Sequence, residues 1–169
     1  PTSYDQKGWL QVGFDGDKSF NGMYFLDISN PEVQVFLRDV FYELSSSYNL
    51  DGIEYDFIRY PGGNMHSYSG TITNTSGLRD SGYTDSMISS FMEEYQLSGD
   101  LKTLLLESNT IRTNWLQFKR SMLTDTVEMI SNTIRSGNPN TRISAAVMPS
   151  ISTARNTYLQ DWDTWIENG

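Results

Sequence analysis

Asp51-Gly52-Ile53-Glu54-Tyr55-Asp56-Phe57-Ile58-Arg59-Tyr60-Pro61 is the stretch on which the reading of this chain turns. Asp51 and Gly52 make a turn, and a short alternating run follows. Successive side chains on a strand point to opposite faces, so Ile53, Tyr55 and Phe57 share one face and Glu54 and Asp56 the other. Unpaired charge in a dry interior is expensive, so a face bearing two acids has to meet a polar cavity. The stretch therefore reads as a strand over 52–58 that delivers a carboxylate to a site.

Upstream of this strand, residues 1–24 are rich in Gly, Asp and Tyr without a clear period. They read as loop, with Trp9–Val12 as a short extended piece. A helix follows: Ser29 or Asn30 can cap it, Pro31 suits its first turn, and Glu32 favours its positive end. Val33, Phe36, Leu37, Val40, Phe41 and Leu44 form its apolar stripe. Downstream, residues 62–84 are dominated by Gly, Ser, Thr and Asn. Loops of that length are usually lids or disordered segments. Residues 85–107 read as two helical pieces broken near Ser98-Gly99, and a longer helix from about Trp115 to Arg135 has Asn114 as its cap. Its buried stripe includes Lys119 through the apolar stem, and Gly137 and Pro139 end it. Arg142–Met148 reads as a buried strand stopped by Pro149, and a last helix runs from about Leu159 to Glu167, with Asn168-Gly169 as its terminator. Strands alternating with helices argue for an α/β fold with a parallel sheet. Two strands leave unpaired edges, which invite self-association.

The 169 residues suffice for one domain with a core, and Pro1 in place of Met suggests a processed chain or an excised piece. A net charge of -9 removes the attraction that nucleic-acid backbones and anionic membranes need. No apolar run approaches the ~20 residues that span a bilayer. Cysteine is absent, which excludes disulfides and thiolate metal sites. A single histidine, His66, in the Gly/Ser loop makes a zinc site improbable and reads as solvated. No EF-hand loop and no phosphate-binding glycine motif is present, so no metal and no cofactor is expected. Ser150 and Ser152 follow the second strand, but no histidine stands near them to activate a nucleophile.

The quoted strand, together with Phe25-Leu26-Asp27-Ile28-Ser29-Asn30-Pro31-Glu32-Val33, resembles the glycosyl-hydrolase-like family 10 proteins. The likeness continues through Asn114-Trp115 with Phe118, Lys119 and Arg120, through Pro139 and Ile143–Pro149, and through Trp162 with Trp165–Gly169. The resemblance implies a bacterial (β/α)8 TIM barrel acting on carbohydrate, secreted or in the cell envelope. It places 52–58 at about the fourth strand and 142–148 at about the fifth, so that 1–169 is a single fragment of one barrel domain, with 62–84 as a long inserted loop. Two positions depart from the family's pattern. Many members carry an acid directly after the strand aspartate, where this chain has Phe57, and the family's second arginine in the helix motif is Lys119-Arg120 here.

A barrel of this kind keeps its active site at the C-terminal ends of its strands. Asp56 falls there, with Glu54 one layer deeper. Glycoside hydrolysis uses two carboxyl groups, ~5–5.5 Å apart for retention and ~6.5–9.5 Å for inversion. Two residues along a strand separate Cα atoms by ~6–7 Å, which fits either. Asp56 is thus the candidate for catalysis or sugar contact, with Glu54 supporting it. The alternative is a polar cluster in which both acids pair with Arg59 or Arg120. Arg59 and Tyr60 on the outgoing loop could bind sugar hydroxyls, and Arg59 could reach back to Asp56. Trp9, Tyr24 and Tyr68 could offer sugar-stacking faces, whereas Trp115, Trp162 and Trp165 fall at packing positions. The readings are a glycoside hydrolase of oligosaccharide or polysaccharide, a non-catalytic carbohydrate-binding or scaffold module, and an inactive self-associating fragment.

Overall fold

A computed structural model, describing residues 2–63, 65 and 67–167, pairs the two expected strands in parallel. They are β1 (Gly52–Tyr55) and β2 (Arg142–Ala145), in register from Gly52 opposite Arg142 to Tyr55 opposite Ala145. A parallel pair needs a long crossover. Here it is built mainly by α3 (Asp85–Glu94), α4 (Leu101–Glu107) and α5 (Asn109–Gly137). α2 (Pro31–Ser47) leads into β1 and packs along α5. The chain is a mixed helix and strand fold with a small parallel sheet. His66 and the Asn168-Gly169 terminator lie outside the described residues.

The alternation of β1 is realised as expected up to Tyr55. Ile53 and Tyr55, with Ile143 and Ala145 of β2, pack on Val127, Ile130 and Ile134 of α5 and on Leu37 and Phe41 of α2. Both strands end three residues earlier than the pattern predicts. In β1 the reason is local: Phe57 takes a left-handed backbone with φ +53°, and its carbonyl accepts from the Arg59 amide at 2.8 Å. That three-residue turn takes Phe57 off the face of Ile53 and Tyr55.

Asn30, not Ser29, caps α2. Its Oδ1 accepts from the Glu32 amide at 2.9 Å, while the Ser29 hydroxyl is spent on Asp27. α5 starts at Asn109 rather than after Asn114, because Ser108 Oγ accepts from the Ile111 amide. Its last residue is Gly137, and the reason is packing. A Cβ there would lie 2.1 Å from Ser45 Oγ of α2. The two helical pieces expected over 85–107 are α3 and α4, parted by a turn with Gly99 at φ +104°. The N-terminal stretch holds a short helix, α1 (Thr2–Gln6), where loop is expected, and its extended piece is real: Leu10 bridges Leu26. After β2 come α6 (Ile151–Thr153), a π turn (Ala154–Tyr158) and α7 (Trp162–Glu167).

Residues 62–84 correct the expectation of a lid. Among those described, Met65, Ile72, Leu78 and Tyr83 are buried in the larger core cluster with Phe91, Trp115 and Phe118. Arg112 fastens this segment. Its guanidinium donates to the Gly70 carbonyl at 2.6 Å and the Tyr68 carbonyl at 3.2 Å, and to the Leu105 and Leu106 carbonyls at the end of α4. The segment is therefore part of the core wall, not a cover over a site. Lys119 is another correction. Its head is buried along with its stem, and it pairs with Asp80. Among the described residues, no helix is long and apolar enough to cross a membrane.

Tyr60 and Tyr83 both sit inside this core, and burial pushes both phenols well above the ordinary value, with Asp27 and Asp80 adding for Tyr60 and Asp80 for Tyr83. Below about pH 10 a phenol is protonated in both folded and unfolded chains, so its contribution is complete. Above that the unfolded chain ionises first, and stability falls as pH rises. Lys119 works in the opposite direction, since desolvation lowers its pKa, but it is one group against two. The expected result is alkaline unfolding in which a tyrosinate absorbance step coincides with loss of circular dichroism. Complete, gradual ionisation of all tyrosines in a chain that stays folded would contradict the burial of both rings.

Candidate functional site

Glu54 and Asp56 are both exposed, whereas Tyr55 between them is buried, as alternation predicts. Glu54 accepts a hydrogen bond from Ser144 Oγ, its register partner on β2, at 3.2 Å. Asp56 lies one residue beyond β1, and its Oδ1 accepts from the Phe57 amide at 2.8 Å. No ion pair involves either acid among the described residues. Arg120 faces Asp161 instead, at 3.9 Å. Arg59 does not reach back to Asp56. Its guanidinium lies 4.6 Å from the Phe57 ring centroid and 5.0 Å from that of Tyr158. The polar cluster expected as the alternative to a site is thus replaced by two unpaired carboxylates and an arginine held between rings.

Both carboxylates line a cavity of about 630 Å³. Its lining also includes Tyr24, Phe57 and Arg59, together with Leu37 and Phe41 of α2 and Leu123 of α5. A second, more polar hollow of about 300 Å³ adjoins it, sharing Arg59, Met23 and Phe25, and adds Asp15, Asp17 and Arg79. Arg79 donates to Asn21 Oδ1 across this hollow at 3.0 Å.

Of the expected sugar contacts, Tyr24 lines the cavity and is 49% exposed. Tyr60 also lines the cavity, but as a core ring: it is 2% exposed and sits beside Lys119 and Gly82. Trp9 stands away from the cavity. It is 7% exposed, stacks on Tyr4, and donates its indole N–H to Glu32 at 2.8 Å, which leaves no free face over the cavity. Tyr68 is exposed but lines neither hollow. Ser150 caps α6 by accepting from the Thr153 amide, which accounts for its position after β2. Trp115 is buried, and Trp162 and Trp165 are half-buried and donate to Met148 O and Thr124 Oγ1.

Gln160 is a positioning residue that no pattern in the sequence announces. It is 1% exposed, and its Nε2 donates to the Ile58 carbonyl at 3.3 Å and the Ala146 carbonyl at 3.1 Å. Its Oε1 accepts from the Met148 amide at 3.0 Å. One amide therefore ties the segment leaving β1 to the segment leaving β2. Leu159, left-handed at φ +60°, turns the chain out of the π turn and brings Gln160 into place. The Tyr60 amide donates to the Tyr158 carbonyl at 3.1 Å and completes the clamp. Among the described residues, no three acidic or histidine side chains gather as metal ligands would.

Two exposed carboxylates near the end of a parallel strand, lining a cavity of this size, can take up or give a proton to a bound molecule. The family model described as Glycosyl hydrolase-like 10 matches residues 4–169. No curated protein and no solved structure matches the chain.

Proposed function

Because the chain belongs to the glycosyl hydrolase-like 10 family, we propose that it supplies strand-end carboxylates to a glycoside hydrolase acting on an oligosaccharide or polysaccharide. The observation that carries this reading is Asp56: an unpaired carboxylate at the C-terminal end of a parallel strand, open to a 630 Å³ cavity. Asp56 acts there as proton donor, proton acceptor or nucleophile at the glycosidic bond, and Glu54 shapes the field one layer below. The two strands are, in this reading, neighbouring members of a (β/α)8 barrel, about its fourth and fifth, and residues 1–169 belong to one such domain. The barrel's strand-end rule is what gives Asp56 its role. Secretion or attachment to the cell envelope goes with a glycan substrate outside the cytoplasm. The charge of -9 goes with a partner that is not nucleic acid.

The test is sugar release from a panel of glycans by the protein and by its Asp56→Asn variant. Turnover lost in the variant supports the hydrolase. Phe57, an uncharged residue directly after Asp56, favours a second reading: a carbohydrate-binding module without turnover. Equal glycan binding and no sugar release in both proteins would establish that reading instead.

The sheet also bears on association. β1 pairs with β2 along one edge, and its other edge has no strand beside it among the described residues. Such an edge offers unpaired N–H and C=O groups to another chain. The expected result is a dimer or larger species in size-exclusion chromatography with light scattering. A stable monomer at all concentrations would sink the self-association.

A further inference from the structure

Phe57 breaks three habits of a phenylalanine at once. Its φ of +53° is one that bulky residues rarely adopt and glycine adopts freely. Its ring leaves the face on which Ile53 and Tyr55 pack, and the residue is 49% exposed. That ring is nevertheless fixed: the Arg59 guanidinium lies over it at 4.6 Å, and the same guanidinium lies 5.0 Å from the Tyr158 ring. Arginine stacking of this kind removes rotamer freedom from an exposed aromatic. The turn that strains Phe57 also orients its neighbour, because the Phe57 amide donates to Asp56 Oδ1. Asp56 and Phe57 therefore line one cavity side by side, and the exposed Tyr24 lines it too. Strained backbone persists where the surroundings hold it, and it concentrates at ligand clamps.

We propose that Phe57 is a stacking platform for a pyranose ring, holding the C–H-bearing face of a sugar beside the Asp56 carboxylate. The proposal rests on the glycan reading above and adds the residue that seats the substrate. A flat apolar ring fixed in advance costs little ordering on binding, and stacking tolerates many sugars.

Glycine separates this role from a structural one, because it accepts the backbone conformation and removes the platform. Calorimetric titration with a panel of oligosaccharides is run on Phe57→Gly and Phe57→Trp, each in an Asp56→Asn background so that no ligand is consumed. Relative to Asp56→Asn alone, Phe57→Gly is expected to bind at least tenfold more weakly, with a thermal midpoint equal or higher. Phe57→Trp is expected to keep the affinity. Unchanged affinity in Phe57→Gly overturns the platform, and does so even if Asp56→Asn has abolished hydrolysis. A lower midpoint together with lost binding that tryptophan does not restore also overturns it, as a packing role. Binding lost in Phe57→Gly by a protein that releases no sugar upholds the platform and removes the hydrolase. No binding of any glycan overturns both.

Discussion

Lys119→Met is expected to cost about 3–5 kcal/mol of folding stability. Lys119 Nζ lies 2.5 Å from Asp80 Oδ1, and both side chains are 1% exposed. Nζ also donates to the Ser81 carbonyl at 3.0 Å and stands 5.2 Å from the Trp115 ring. Asp80 in turn accepts from the Tyr83 hydroxyl at 2.7 Å and the Ser81 amide at 2.9 Å. The carboxylate is therefore pinned by neighbours that cannot follow it to water. Without the lysine it stays buried and uncompensated. The lowered pKa of Lys119, caused by desolvation that Asp80 only partly offsets, shows how much the dry surroundings resist charge. Since domains of this size are stable by about 5–15 kcal/mol, the loss is about a fifth or more of the total. Denaturant midpoints measure it. An Asp80→Asn/Lys119→Met double variant should recover much of the loss, because it removes both charges at similar volume. A single-variant loss under about 1 kcal/mol would mean that water reaches the pair.

Asp56→Asn is expected to lower turnover of the best glycan by about 10²–10⁴-fold, the usual share of a positioned proton-transfer group. The substitution keeps shape and the bond from the Phe57 amide, since the amide oxygen still accepts. Stability should hardly change, because Asp56 is exposed and in no ion pair among the described residues. Hydrolysis that survives in Asp56→Asn would remove Asp56 from the chemistry, whatever happens to binding.

Much of the local fold is legible in the residues because its causes are local. Asn30-Pro31-Glu32 carries its own cap chemistry, Gly99 marks the break between α3 and α4, and Ile53 with Tyr55 declares the packed face of β1. The carboxylate face follows from the same alternation. What is not legible depends on partners far along the chain. Trp9 resembles a stacking platform until Glu32 claims it, and Tyr60 a rim residue until the Lys119 core surrounds it. Arg112 resembles a helix-surface arginine until residues 68–70 supply carbonyls, and Asp80 resembles a loop acid until Lys119 arrives 39 residues later. Phe57 is hidden differently. Nothing in a phenylalanine announces a left-handed backbone, so the break in alternation belongs to the turn and not to the residue type.

The Gln160 clamp has a consequence in time. The Ile58 carbonyl and the amide that holds it are 102 residues apart. At ribosomal speeds of about 5–20 residues per second, the end of β1 emerges roughly 5–20 s before its clamp exists. For most of that interval the Asp56 turn has neither β2 nor Gln160 to hold it, so this corner sets only once residues 142–160 have been made.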